Sequence, residues 1–457
     1  MKLQLIQPTT GEYNSNSRSG CYPPLGLVSI ATYVEQQIPN IEIEILDGEL
    51  ISHDQIVSRL DADIVGINAN TITYPQAIEI AESAKEHGIR VVLGGIFASA
   101  MAPAILRFRP HLFDHIVVGY GEKPMCDIIL DMQANGSRRT LNPIIINQQP
   151  DFVNITAPDR KFIDLPQYLS RFSDNHPTWS DRGTNIFTNV GCFWREKTKG
   201  GCIFCSRSGD YTATRQAEKV WDEIEQLVAE HNINYLVDFS DTLLQHKDWI
   251  KQLICAKPKH IDPMWHVFGR TDEIDQESID LIKQLPCNHI FVGLESGHPI
   301  TYKSSRKGGG SPEHSLEVGK LLRKNEMQIT ASYVMGLPGE SEETLKATYE
   351  HAKKMQDITG FEEIFCCPLI PFPGSVAFNQ LKAKIGIDTD IVDVEDLKRQ
   401  WAENFCSVPF DVMEEYAEKI LDLGSYKITI SKRVQASIPS FIVNQQNSSE
   451  EERYSCV

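Results

Sequence analysis

The stretch Gly191-Cys192-Phe193-Trp194-Arg195-Glu196-Lys197-Thr198-Lys199-Gly200-Gly201-Cys202-Ile203-Phe204-Cys205 places three cysteines within fourteen residues, directly after an apolar strand pattern that ends at Val190. Three thiolates satisfy three irons of a cubane iron–sulfur cluster and leave the fourth iron open to a ligand, which four cysteines would not. Gly200 and Gly201 let the backbone turn closely beside such a cluster. The same residues admit two other readings, Cys202-x-x-Cys205 as a redox pair or as half of a zinc site. A redox pair leaves Cys192 unexplained. Zinc needs a second pair nearby, and the other cysteines offer only the adjacent Cys366-Cys367.

Strand and helix patterns alternate on both sides of this stretch. Upstream, apolar runs at Leu3–Ile6, Ile41–Leu46, Ile64–Ile67, Val91–Leu93 and Ile116–Val118 are each followed by Gly, Asn or Asp and then by helical periodicity. Downstream, runs at Tyr235–Phe239, Trp265–Phe268, His289–Gly293, Ile329–Met335 and Glu363–Cys367 repeat the rhythm. Such alternation predicts parallel sheets with ligands at the carboxyl ends of the strands. The expected fold is α/β: a five-stranded doubly wound, Rossmann-like domain over 1–135 and a linker over 136–184. A partial (β/α)6 TIM-type barrel over 185–375, a helical region over 376–443 and a flexible tail over 444–457 complete it. Trp401 in the helical region reads as core.

The chain has 457 residues, with 44 Lys+Arg against 62 Asp+Glu, a net charge of −18. That balance disfavours nucleic acid as a partner. No run of about 18 apolar residues predicts a membrane span. No secretory signal is expected, so a cytoplasmic, reducing location follows and the 11 cysteines are not a disulfide framework.

The three cysteines and the order of strand-end segments behind them resemble the radical S-adenosylmethionine (SAM) superfamily. There, three cysteines hold a [4Fe-4S] cluster whose open iron chelates SAM. The resemblance makes Cys192, Cys202 and Cys205 the cluster ligands, with an aromatic residue, Phe204, before the last. This chain departs from the family's usual spacing, with nine residues rather than three between the first two cysteines. Asp238-Phe239-Ser240-Asp241, Arg270-Thr271-Asp272, Gly293-Leu294-Glu295-Ser296-Gly297 and Gly336-Leu337-Pro338-Gly339-Glu340 match the ends of the second to fifth barrel strands. The resemblance implies SAM contacts from Asp238, Asp241, Arg270, Glu295, Ser296, Gly336 and Pro338, with Arg270 the candidate for the SAM carboxylate.

Pro23-Pro24-Leu25-Gly26-Leu27, Gly94-Gly95 and Asp114-His115-Ile116-Val117-Val118-Gly119-Tyr120-Gly121-Glu122 resemble the cobalamin-binding domain that precedes the barrel in one large radical SAM subclass. That resemblance implies cobalamin contacts from Pro24, Gly26, Gly94, Gly95, Gly119, Gly121 and Glu122. No Asp-x-His-x-x-Gly follows the first strand, so no protein histidine is expected on cobalt; His53, His87, His111 and His115 read as surface residues. Tyr22 reads as part of an exposed loop. The implied activity is cobalamin-dependent methyl transfer to an unactivated carbon of a small molecule or peptide, through a 5′-deoxyadenosyl radical. An electron donor such as flavodoxin or ferredoxin is the implied partner. Radical cyclisation or rearrangement, with or without cobalamin, is the alternative, and a zinc-stabilised binding protein without catalysis a second. No residue is assigned a catalytic role.

Overall fold

Leu3 and Leu5 of the first strand pack into one helix layer and Ile6 into the other. Val92 and Val117 repeat the first choice; Val91, Leu93, Ile116 and Val118 repeat the second. Strands covered on both faces need such near-continuous apolar runs. The structure, a computed structural model, describes residues 1–11, 13–14, 20–136, 140–176, 179–180, 182–207 and 209–432. In it a six-stranded parallel sheet runs in the spatial order Glu42–Asp47, Lys2–Gln7, Ile64–Asn68, Arg90–Gly94, His115–Gly119, Ile144–Asn147. The order reverses between Lys2–Gln7 and Ile64–Asn68, the switch point at which such sheets bind ligands.

Three expectations about this half change. The sheet has a sixth strand, Ile144–Asn147, paired with Ile116–Gly119. The stretch expected as a linker also supplies the helix Leu165–Asn175, which buries Tyr168, Leu169 and Phe172. His115 is buried, its ring bonded to Asn142 O at 3.0 Å, because it points inward from the fifth strand.

The second sheet is parallel and curls through seven strands in chain order: Gly183–Ile186, Tyr235–Asp238, Met264–Arg270, Cys287–Glu295, Gln328–Met335, Glu363–Pro368 and Tyr426–Ile428. The seventh comes from the region read as helical. Its two edge strands do not pair with each other, so the barrel is partial. The C-terminal helices Val376–Ile385 and Val394–Phe405 lie against both halves. Phe378, Leu381, Leu397 and Trp401 share one core with Ile67, Phe97 and Ile105 of the first domain. Asp390, between those helices, accepts from Tyr74 Oη at 2.9 Å and Arg109 Nε at 2.6 Å. Tyr168 Oη donates to Asp47 at 2.6 Å and Asn185 Nδ2 to Pro23 O at 3.0 Å, further tying the strand edges of the two sheets. Tyr22 is packed rather than exposed, 4.7 Å from Phe239 and 5.8 Å from Phe172 ring to ring. No helix of the described residues is long and apolar enough to cross a membrane. The tail from 444 lies outside the described residues.

Candidate functional site

Gly191 ends the short strand Asn189–Val190 with φ +92, and a Cβ there would stand 2.2 Å from Tyr211 O. Glycine alone makes this turn without strain. Asp241 accepts from Gly191 N at 2.8 Å and Gln245 Nε2 donates to Gly191 O at 2.8 Å, so Cys192 leaves the strand from a fixed point. The nine residues before Cys202 are a short helix, Phe193–Thr198, closed by a left-handed Lys199. Arg195 braces the return, donating through Nη1 to Gly200 O at 3.0 Å and Cys205 O at 3.2 Å, and through Nε to Gly209 O. Gly201 sits against Arg195, so the paired glycines serve this return as well as any cluster.

All three cysteines are free, half-buried thiols in one loop. Among the described residues no three His, Cys, Asp or Glu side chains converge on a position for one metal ion. A cubane site does not require that, since each thiolate binds a different iron; a tetrahedral zinc site does. Burial pushes the Cys202 thiol up to about 12, while the neighbouring Lys307 and Arg270 favour its thiolate. The donor set and its cations therefore fit a cluster.

The barrel-strand residues divide into those that face the loop and those turned away. Arg270 Nη1 lies 4.0 Å from Cys202 Sγ, but Nε and Nη2 are held at 3.0 Å by the two oxygens of Asp272, and Nη2 also donates to Gly308 O. Its guanidinium is thus held beside the cysteine loop, with Nη1 turned toward Cys202. Glu295, in the left-handed region at φ +62, pairs with Lys307 Nζ at 2.7 Å. Both are almost fully buried, and a Cβ on Gly293 would collide with both head groups at 2.4 Å. Asp238 is turned inward, both oxygens bonded to Thr188 and Ser240. Ser296 is equally occupied by Thr301 at 2.6 Å and Thr348 at 3.2 Å. These hydrogen bonds brace the loops at the two strand ends. Asp241 stays half-exposed and pairs with Arg207, which reaches Tyr120 Oη of the first domain at 3.4 Å. Glu340 shapes the Gly336–Gly339 loop, accepting from Gly336 N at 3.0 Å and Leu337 N at 3.3 Å; burial raises its carboxyl to about 7. Pro338 lies in that loop, and Trp401 Nε1 donates to Gly336 O at 2.7 Å.

In the first domain a cavity of about 170 Å³ opens between the sheet edge and the helices Leu25–Gln37 and Glu122–Asn135, lined by Gly26, Gly94, Gly95, Gly119, Gly121 and Glu122. A Cβ on Gly26 would meet nothing within 4 Å, and one on Gly94 only an ordinary contact at 3.9 Å. These two glycines therefore leave space that the protein does not use. Gly95 and Gly119 differ. Both have positive φ, and a Cβ would strike Asn68 Oδ1 at 2.4 Å or Asn147 O at 2.2 Å. Gly121 is required only by Ile30, at 2.6 Å. Glu122 accepts from Ser29 through Oε1 at 2.8 Å, while its buried Oε2 has no partner, and burial raises its pKa. The open cradle and the orphaned oxygen fit a large ligand with hydrogen-bond donors, such as a corrinoid.

A second cavity of about 580 Å³ shares Gly26, Tyr120 and Glu122 with the first, takes in Pro24, and reaches Asn185, Asn189, Arg207 and Asp241 at the barrel strand ends. The two cavities adjoin at these shared residues, and among the described residues no histidine lines either. Asn185 and Asn189 are buried, each with an unpartnered Oδ1. Their orientation is fixed, since Asn185 Nδ2 faces a carbonyl and Asn189 Nδ2 faces a hydroxyl already donating to Asp238. The sequence reading missed Lys307, Arg207, Tyr120 and this asparagine pair. Only Lys307 carries a local signal, the triple glycine 308–310 that follows it.

Residues 188–352 match the family model for the radical SAM superfamily, and residues 14–129 that for the B12 binding domain. An uncharacterized methyltransferase of Pyrococcus horikoshii is 27% identical over 380 residues, 78% of each chain. The anaerobic magnesium-protoporphyrin IX monomethyl ester cyclase of Rubrivivax gelatinosus is 26% identical over 421 residues, 85% of this chain and 71% of that one. Among solved structures, the radical SAM methyltransferase TsrM from Kitasatospora setae, with cobalamin and a [4Fe-4S] cluster bound, aligns with a TM-score of 0.65 at 19% identity. The alignment covers 83% of this chain and 78% of that one, a likeness of fold.

Proposed function

This chain is a radical SAM superfamily protein with a B12-binding domain ahead of its barrel, and from that premise we propose that it transfers a methyl group to an unactivated carbon of a small molecule or peptide. The observation that carries the reading is a pair of adjoining cavities: one lined by Gly26 and Gly94, which leave space open, and a second that shares Gly26, Tyr120 and Glu122 with it and is lined by Asn189 and Asp241 at the barrel side. When bound, the cluster, SAM and cobalamin supply a 5′-deoxyadenosyl radical and a transferable methyl group. Cys192, Cys202 and Cys205 hold the cluster, with Lys307 and Arg270 offsetting the thiolate charge. Gly26, Gly94 and Glu122 hold the corrinoid, Glu122 offering its free oxygen to a donor on the ligand. Asp241 fixes Gly191 and, through Arg207, Tyr120, so one carboxylate sets the cysteine loop and the domain interface together.

To the same proposal belong the division of labour, 1–135 for cobalamin, 185–375 for cluster and SAM and 376–443 for closure, an acidic electron-carrier partner and a cytoplasmic location. Anaerobically purified protein should be brown, hold about four iron and four sulfide per chain, retain hydroxocobalamin through gel filtration and release 5′-deoxyadenosine from SAM. A colourless protein with zinc alone after anaerobic reconstitution overturns the reading. The similarity to a cyclase favours ring formation as the second reading. Product masses separate them, because methyl transfer adds one methylene and cyclisation does not.

A further inference from the structure

The residues between Cys192 and Cys202 form, with the loop 305–311, a single outward surface. Trp194 Nε1 donates to Arg306 O at 2.7 Å, and Ile203 N to Ser305 O at 2.8 Å. A Cβ on Gly308 would stand 1.9 Å from the Trp194 ring, and one on Gly309 2.0 Å from Asp272 Oδ2. The triple glycine is therefore shaped to receive the inserted helix. A cavity of about 380 Å³, lined in part by Trp194, Thr198, Lys303 and Arg306, lies along the seam.

This surface reverses the sign of the molecule. In a chain of net charge −18, Lys197, Lys199, Lys303 and Arg306 are all exposed here. Among the described residues no carboxylate lies within 4.0 Å of Lys197, Lys303 or Arg306, and Lys199 reaches Asp210 only at 4.0 Å. Glu196, the acidic residue of the same helix, is bonded to Thr212. Phe193, next to Cys192, is 46% exposed. Exposed cations without carboxylate partners on an acidic chain make a local positive field that steers an anionic protein.

We propose that the helix 193–198 and the loop 303–310 form the docking platform for an acidic one-electron carrier protein that reduces the cluster. The inference rests on the proposed function, which requires one electron per SAM cleavage. The step moves one electron from the carrier's prosthetic group, oxidised by one, to the cluster, reduced by one; no atom is exchanged. A chain this acidic repels an acidic carrier except where the charge is locally inverted, and complementary patches of this kind raise association rates most at low salt.

The test compares the holoenzyme with Lys197→Glu/Arg306→Glu and, as a control at the opposite end of the barrel, Lys283→Glu. Flavodoxin is the probe. Its affinity is read by fluorescence titration, and the reduction of the cluster by stopped-flow absorbance, with reduced flavodoxin and separately with dithionite. The double variant should bind flavodoxin about tenfold more weakly and accept its electrons about tenfold more slowly at low ionic strength. Dithionite should reduce all three proteins alike, and salt should erase the difference. Unchanged flavodoxin affinity, an equal loss with dithionite, or preferential binding of an RNA oligonucleotide overturns the proposal. Protein that forms no cluster counts against the proposed function alone, because the affinity measurement still decides the surface.

Discussion

At the sheet edge of the first domain, Gly26 and Gly94 leave room that no side chain fills, and Glu122 keeps an oxygen without a partner. Around Cys202 the arrangement is the reverse: Lys307, Glu295, Arg270 and Asp272 are packed into pairs, with little space and few free donors. The first region is built to accept a large molecule from outside. The second is built to hold a loop in place whatever its ligand does. Vacancy is cheap for the fold to keep, whereas buried paired charge is costly to disturb, so the two regions should respond to substitution in opposite ways.

The largest effect is expected at the cysteines. Replacing Cys192, Cys202 or Cys205 singly with Ala should lower bound iron from about four per chain to near zero and abolish 5′-deoxyadenosine release while hydroxocobalamin is still retained. A Cys192→Ala protein that keeps a full cluster would remove the inserted helix from the site.

Next is Lys307→Met, which leaves Glu295 buried without a counter-ion and should cost about 3–5 kcal/mol in denaturant unfolding. Adding Glu295→Gln should recover much of that loss. If the single variant is as stable as the parent, the barrel region is not the rigid half of the comparison.

Glu340 gives a pH signature of somewhat smaller size. Its carboxyl is raised from 4.5 to about 7 in the folded protein, so the folded state binds the extra proton. Stability should therefore fall by about 3 kcal/mol as pH rises from 4.5 through 7, and Glu340→Gln should remove that slope. An identical slope in the variant would assign the pH dependence to other groups.

The smallest stability changes separate the glycines. Gly26→Leu, near the start of a helix and facing open space, should leave thermal stability unchanged or raise it by up to about 1 kcal/mol, yet abolish retention of hydroxocobalamin. Gly95→Ala should cost about 1–2 kcal/mol from its positive φ alone. A Gly26→Leu protein that still retains the corrinoid would mean that the cavity is not its site.

Legibility followed locality. That Cys192, Cys202 and Cys205 share one loop and that the glycines stand at strand ends was readable, because both lie in spacing along the chain. The apolar run Ile144–Ile146 stands out of its polar flanks but, at three residues, does not reveal that it joins the first sheet, and Tyr426–Ile428 carries too little periodicity to register. Asp238 and Ser296 stand at strand ends, but nothing in the sequence reveals that Thr188, Ser240, Thr301 and Thr348 bond to them. Arg207 and Tyr120, 87 positions apart, meet only across the domain junction.

The sequence by itself determined the two parallel sheets and the clustering of three cysteines in one loop, because alternation and spacing are local properties of the chain. Only the tertiary structure decided which polar side chains are free, which glycines leave space and where the inserted helix rests. Those depend on partners drawn from distant strands, whose approach is set by packing rather than by any stretch of sequence.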